Sequence, residues 1–277
     1  MKQELLPTIE PSENDLVDMA LAMPLEKKVD KAIKLLQLYR PTYIAYSGGK
    51  DSGCIKRLCK MAGVDAVPHY NVTTMDAPEL VRFVKEQKDV KWNRPKISMM
   101  ARLVERPSGP PVASMPWCCQ EYKEGGGSGQ VRVVGVRVEE SPRRRGLWKT
   151  VVPQSRGDHI ICPICYWTTE DVWNFHDMEN ISYCSLYDEG FTRLGCVGCP
   201  KARTKQQTVE FGRWPRFEES WRRAIFRHWQ KWYGVPRIDG GTRYIDKYKT
   251  PEDWWNWWRT GGDNNETEPC QGMSLFQ

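Results

Sequence analysis

Six consecutive residues, Ser47-Gly48-Gly49-Lys50-Asp51-Ser52, stand between a short apolar run and a helical repeat. Together they hold the parts of an anion cradle. The glycines let backbone approach charged oxygens, the helix start supplies N–H groups and a positive dipole end, and the Ser and Lys side chains complete the set of donors. A turn of this kind takes a phosphate. The spacing departs from G-x-x-x-x-G-K-[ST], which speaks against an ordinary kinase or motor ATPase.

A second chemistry lies in the cysteines, ten in all. That number is high for a reducing compartment unless some bind metal or do redox work. Cys196 and Cys199 form a C-x-x-C whose Gly198 and Pro200 suit a tight knuckle, and the pair Cys118-Cys119 lies 77 residues before Cys196. Two such thiolate pairs fit an iron–sulfur cluster or a structural zinc. Cys162, Cys165 and Cys184 are alternative members of the set, whereas Cys54 and Cys59, in the helix after the loop, read as core. A third candidate is arginine-rich. Arg137 ends a β-branched run and Ser141 with Arg143, Arg144 and Arg145 follow; guanidinium forks match sulfate or phosphate oxygens, although the last three read equally as a solvated loop.

The elements that would position these groups alternate between helix and strand. Val29, Ala32, Ile33 and Leu36 give helical spacing over residues 26–39, residues 42–46 read as a strand, and Ile55, Leu58, Cys59 and Ala62 repeat helically up to Gly63. Residues 66–72 form a second strand; Asp76 reads as a helix cap ahead of Pro78 and Glu79, residues 131–138 as a strong strand, and residues 168–175 as a capped helix. This order predicts an α/β fold with a parallel sheet covered on both faces. After Pro200, Phe217, Trp221, Ala224, Ile225, His228 and Trp232 lie on one helical stripe.

With 277 residues, 40% hydrophobic and 27% charged, the chain is long enough for a real core and is neither disordered nor membrane-embedded in composition. No apolar run reaches the roughly 18 residues of a spanning helix. The first residues lack a signal peptide's apolar centre, so the expected location is the cytoplasm, with no membrane partner. Of 13 tryptophans, eight follow residue 200, and residues 201–237 carry ten Lys or Arg against three Glu.

Residues 47–52 resemble the PP-loop of adenine nucleotide alpha-hydrolases. Within that superfamily the chain resembles the phosphoadenosine phosphosulfate (PAPS) reductase family over residues 40–203, on four further stretches: WCC at 117–119, GVRVEESPR at 135–143, WTTEDVW at 167–173 and YDEGFTRLGCVGCP at 187–200. The resemblance implies a three-layer fold of that superfamily with 41–200 as the PP-loop domain; periodicity and composition set off 1–40 as a helical lead-in, 201–260 as a basic aromatic helical extension and 261–277 as a flexible tail. It implies that Ser47, Gly48, Gly49, Lys50, Asp51 and Ser52 bind ATP or PAPS/adenylyl sulfate, with Arg137 and Ser141 facing the nucleotide and Asp51 helping to order Mg²⁺. Lys50 and Asp51 would be catalytic. It favours a 4Fe-4S cluster over zinc on Cys118, Cys119, Cys196 and Cys199, as in adenylyl-sulfate-type reductases.

Two activities share this site. A reductase needs a mobile thiol, and Cys270 is the candidate, in a setting (EPCQG) that departs from the family's Glu-Cys-Gly-[Leu/Ile]-His. The alternative resembles the sulfurtransferase of DNA phosphorothioation systems and the iron–sulfur tRNA thiolases: ATP activates a nucleic-acid oxygen, then sulfur displaces AMP, with DNA or tRNA held by residues 201–259. Trp221, Trp229 and Trp232 also suit a helical core. Residues 271–276, from Gln271 to Phe276, look like a sliding-clamp docking peptide. Either activity calls for a sulfur or electron donor protein, and a non-catalytic nucleic-acid-binding or assembly protein with the same fold and metal site is the remaining alternative.

Overall fold

The computed structural model describes residues 12–154, 159–202 and 204–262. In chain order the elements are α1 (Glu13–Leu21), α2 (Leu25–Tyr39), β1 (Tyr43–Ala45), α3 (Lys50–Met61), β2 (Val67–Asn71), α4 (Pro78–Glu86), β3 (Lys91–Asn93), α5 (Met99–Glu105), α6 (Trp117–Cys119), β4 (Arg132–Val133), α7 (Pro142–Leu147), β5 (Val151–Pro153), β6 (His159–Ile161), α8 (Thr169–Met178), α9 (Thr204–Arg213), α10 (Pro215–Trp232) and α11 (Pro251–Arg259). The strands form a six-stranded sheet in the order β3-β2-β1-β4-β6-β5. The pairs β1–β4, β2–β3 and β4–β6 are parallel and β5–β6 is antiparallel, so the α/β class expected from the alternation holds. No helix among the described residues is long and apolar enough to cross a membrane.

The chain gathers into two compact units, one made of residues up to Ile44, Lys50–Ala66 and Gly129–Ser182, the other of Ala45–Gly49, Val67–Ser128 and residues from Tyr183 on. In the first unit, β4 lies between β1 and β6, pairing Ile44 with Val133 and Val133 with Ile161. Of its predicted stripe, helix α2 buries Val29, Ala32 and Leu36 while Ile33 is half-buried, and it also buries Lys28, whose Nζ meets the Asp171 carboxylate at 2.5 Å. Helix α8 begins where the sequence predicted, with Thr168 and Asp171 capping one another's backbone N–H groups.

Two local expectations need correction. The run at 131–138 is a strand only over Arg132–Val133, because the chain then turns closely past α3: a Cβ on Gly135 would lie 3.1 Å from the Asp51 Cβ. Asp76 does not cap α4, whose N-cap is Ala77; its carboxylate accepts the Thr73 N–H instead, and its backbone bridges Cys196.

In the second unit, β2 and β3 pair in parallel and Tyr46 N–H donates to the His69 carbonyl. Helices α4, α5, α10 and α11 supply its core, where Leu80, Met99, Leu103, Trp221, Ile225 and Trp254 are buried. Of the predicted stripe on α10, Trp221, Ala224, Ile225 and His228 are buried. Four indoles of this unit find backbone acceptors: Trp221 on Val197, Trp229 on Tyr248, Trp232 on Val104 and Trp258 on Pro111. A buried indole needs such a partner; Trp221 and Trp258 are core, and Trp229 and Trp232 are half-buried.

Candidate functional site: a glycine turn, an arginine–carboxylate network and a thiol quartet

The turn after β1 is held open by conformation and by crowding. Gly48 has φ +75°, where only glycine is at ease, and a Cβ there would stand 2.5 Å from Val84 Cγ2 and 2.8 Å from Leu80 Cδ1. Ser47 is exposed, and its Oγ accepts the Gly49 N–H at 3.3 Å. The Tyr187 hydroxyl flanks Gly49, 3.3 Å from where a Cβ would sit. Lys50, Asp51 and Ser52 then open α3, so the segment ends on a helix N-terminus with its positive dipole end.

In the first unit, Asp51 anchors a network around Arg137, which is 3% exposed. Arg137 Nε donates to Asp51 Oδ1 at 2.6 Å and its Nη1 to Glu139 Oε2 at 2.7 Å, with the Trp167 carbonyl and Thr169 Oγ1 at 3.3 Å. Glu139 also accepts the Thr169 N–H at 2.7 Å and its hydroxyl at 2.9 Å. Lys50 Nζ is 3.3 Å from Asp51 Oδ2, so cations engage both Asp51 oxygens. Two positive and two negative groups close on one another here, and Arg137 fixes the start of α3 through Asp51. Ser141 caps α7 by accepting the Arg144 N–H at 3.2 Å. At the start of α3, the buried His176 ring sits between two carbonyls, Lys50 O at 2.9 Å and Ile181 O at 3.1 Å.

The four cysteines of the predicted set all fall in the second unit and act on one another. Cys118 and Cys119 end α6; Cys196 and Cys199 flank Gly198 at φ +73°. The hydrogen bond from Cys118 is the largest influence on Cys119, and against the opposing effect of burial, with Lys201, Lys123 and Arg193 assisting, it pulls that thiol down to about 6. The same bond, then burial, pushes Cys118 up. Burial raises Cys196 to about 12 and also raises Cys199. Cys118 feels the charges of Cys196 and Cys199 as well as of its neighbour. Among the described residues no three His, Cys, Asp or Glu side chains are drawn around a single ion position. Four sulfurs, each a soft donor, with three cations at hand to offset thiolate charge are a donor set of the kind that an iron–sulfur cluster or a zinc ion takes.

Helices α9 and α10 hold the knuckle. Gly198 N–H donates to Glu210 at 2.7 Å, Gln207 Nε2 to the Cys199 carbonyl at 3.0 Å and Trp221 Nε1 to the Val197 carbonyl at 3.0 Å. A Cβ on Gly198 would run into the Phe211 ring.

Several residues of the site were not read from the sequence. Lys123 faces Cys196, Asp76, Cys199 and Cys119, with Cys196 the largest of the influences that raise its pKa. Its signal was available: it stands four residues beyond Cys119 on a helical stretch, where side chains share a face. Glu124, pushed up to about 7 by burial and then by Cys119, had no such signal. Cys162 and Cys165 are buried in the first unit, where burial and then Cys165 raise Cys162; Cys184 belongs to the second unit and is raised by burial. Cys54 and Cys59 are core, as expected, and burial pushes Cys59 up to about 12. The nine described cysteines are free. Cys270 and residues 271–276 lie outside the described residues.

Residues 41–202, more than half of the chain, match the phosphoadenosine phosphosulfate reductase domain. The adenosine 5'-phosphosulfate reductase of Bacillus pumilus is 31% identical over 80 residues, which is 29% of this chain and 34% of that protein. An uncharacterised 37.8 kDa protein of Escherichia phage 186 is 39% identical over 83 residues, covering 29% and 25% of the two chains. The alignments thus span about a third or less of these relatives. Among solved structures, the PAPS reductase of Candida auris aligns over 68% of this chain and 97% of its own at 14% identity and a TM-score of 0.45. The FMN adenylyltransferase of Candida glabrata aligns over 67% and 71% at 15% identity and a TM-score of 0.44.

Proposed function

Because the chain belongs to the phosphoadenosine phosphosulfate reductase domain family, we propose that it is an enzyme binding an adenine nucleotide on residues 47–52 and performing sulfur chemistry beside a 4Fe-4S cluster. The observation that carries this reading is the meeting of Cys118 and Cys119 with Cys196 and Cys199 in one unit, among Lys123, Arg193 and Lys201. Those four thiols would hold the cluster, which when bound supplies a redox-variable charge. Gly48 and Gly49 let the nucleotide's phosphates approach the backbone, Ser47 and Ser52 offer hydroxyls, and Lys50 offers a cation. Arg137 serves as a positioning residue, orienting Lys50 and Asp51 through its 2.6 Å bond to Asp51. Ser141 keeps Arg144 and its neighbours in place by capping α7.

The favoured substrate is adenylyl sulfate or PAPS. In this reading a cysteine thiolate, Cys270 being the candidate, attacks the sulfonate sulfur and AMP, or its 3'-phosphorylated form, leaves. A thiol donor protein then releases sulfite and leaves a disulfide, so the electrons come from thiols. The location is the cytoplasm. A second reading, ATP-dependent sulfur transfer to DNA or tRNA, gains support from the cationic stretch at 201–237.

Protein purified without oxygen should absorb in the visible and lose that absorbance as Cys196→Ser. Given adenylyl sulfate or PAPS with a thiol donor, it should release sulfite; given ATP and nucleic acid instead, pyrophosphate release would point to the second reading. A colourless zinc protein, inert to all three nucleotides, removes both.

A further inference from the structure

The second unit contains a cavity that neither the glycine turn nor the cysteines reach. It is open to solvent, encloses about 370 Å³ and lies between the loop after α5 and the segment joining α10 to α11. That volume is within the range of small-molecule sites. Arg237 and Arg243 line it, with no carboxylate among the lining residues. The rest of the wall includes Tyr244, Trp254, His228 and Ser108.

Each of these residues has a legible part. Arg243 is held in place: its Nε donates to the Val235 carbonyl at 2.9 Å and its Nη2 to the Pro236 carbonyl at 3.3 Å, with the guanidinium 4.8 Å from the Trp232 ring centre. Among the described residues no acid pairs with it, since the nearby Asp246 accepts the backbone N–H groups of Gly234 and Arg243. Such a guanidinium is already ordered before a ligand arrives, so little entropy is lost on binding. Arg237 sits on a tight turn closed by its own N–H on the Gly241 carbonyl, and shares its charge with Asp239 at 2.7 Å. Residues 231–249 contain five Lys or Arg against two Asp, which biases the mouth toward anions.

His228, 1% exposed, is no ligand donor. One ring nitrogen meets the Arg106 carbonyl at 3.1 Å and the other accepts from Trp254 Nε1 at 3.3 Å, so the imidazole is spent on fixing the indole. Trp254 also stacks on Trp257 at 4.4 Å and 2°, leaving the indole rim to the cavity. Tyr244, 37% exposed, packs on Tyr248, Trp254 and Trp257, and the Lys247 ammonium lies 4.2 Å from its ring centre, so its outward edge is the aromatic surface within a ligand's reach.

We propose that this cavity binds a phosphorylated nucleoside, free or as one unit of a single strand, with the phosphate on Arg243 and Arg237 and the base against Tyr244. Guanidinium groups recognise phosphate oxygens in two-point fashion, and an aromatic face accepts any base. The proposal goes beyond the chemistry assigned to residues 47–52 and does not depend on it.

The test uses the full chain at moderate salt, with three probes: a fluorescently labelled short single-stranded oligonucleotide, a nucleoside 5'-monophosphate and inorganic phosphate. Binding of the oligonucleotide by anisotropy, or of the monophosphate by calorimetry, is expected, and each should weaken about tenfold or more in Arg243→Ala and in Arg237→Glu. Arg237 is exposed, so Arg237→Glu keeps the test decisive should loss of Arg243 loosen its loop. Lys50→Ala should retain this binding even where it removes turnover, which separates this pocket from the glycine turn. A tighter oligonucleotide assigns the site to a strand, and an equal or tighter monophosphate assigns it to a free nucleotide. The proposal is overturned if neither probe binds, if both arginine variants bind as the parent does, or if inorganic phosphate competes as well as the monophosphate.

Discussion

Replacing Gly48 by alanine should destabilise the protein more than the same change at Gly63, and the difference measures how tightly the turn is pressed against α4. Both glycines have positive φ, +75° and +65°. An L-residue in that region costs about 1–2 kcal/mol, and the loss of glycine's freedom in the unfolded chain returns roughly 0.4–1 kcal/mol at either site. Those contributions cancel in the comparison. What remains is space: nothing lies within 4 Å of a Cβ on Gly63, whereas one on Gly48 meets Val84 and Leu80 at 2.5 and 2.8 Å. Both of those side chains are buried, so neither can swing away. Overpacking of this kind costs about 1–3 kcal/mol. Urea unfolding of the two variants should therefore give midpoints that differ by that amount divided by a common slope. A companion Val84→Ala in the Gly48→Ala background should recover part of the loss, because the two sites share the clash. Equal midpoints for Gly48→Ala and Gly63→Ala, with no recovery by Val84→Ala, would refute the reasoning.

Asp51→Ala should cost about 1.5–3 kcal/mol, because it removes one of the two carboxylates on a buried guanidinium and leaves Glu139 as the other; adding Arg137→Met should restore part of it, and a single variant as stable as the parent would show that Arg137 does not need Asp51. Burial holds His228 near 4 against about 6.5 for an unfolded histidine, so its contribution is complete above pH 6.5 and is lost as pH falls toward 4. Between pH 7 and 5 that loss is about 2 kcal/mol, and His228→Phe should show a correspondingly flatter pH dependence of unfolding; identical slopes would contradict the assignment. Gly198→Ala should remove the visible absorbance expected of an anaerobic preparation, while Gly190→Ala, also at positive φ but with nothing within 4 Å of its Cβ, should keep it. Colour retained in full by Gly198→Ala would mean that the knuckle need not hold its shape.

What the sequence disclosed was local. Helix α2 was legible because Val29, Ala32 and Leu36 repeat with the helical period, and α8 because Thr168 and Asp171 form a cap visible in one dimension. The turn at 47–52 was legible because its residue types have few other uses together. What was hidden depended on distant partners. The run 131–138 has every propensity of a strand, yet Gly135 must pass within van der Waals reach of Asp51, and that approach ends β4 after Val133. Asp76 has the type and position of a helix cap, but the local loop claims its carboxylate through Thr73. Arg137 was singled out for an anion, but its pairing with the Asp51 and Glu139 carboxylates could not be read from the sequence. The pairing of Cys118 and Cys119 with Cys196 and Cys199 came from resemblance, because spacing alone left Cys162, Cys165 and Cys184 in contention.

The indole of Trp221 donates to the Val197 carbonyl and stacks on Trp258, whose own N–H is held by Pro111. A gene fragment cut to the family match at 41–202 would therefore be a poor miniature of this protein. It would sever Glu210, Gln207 and Trp221 from the loop they brace, leaving backbone donors and acceptors to water. Anyone seeking a shorter version should trim elsewhere and treat the tryptophan-rich helices as the splint of the cysteine loop.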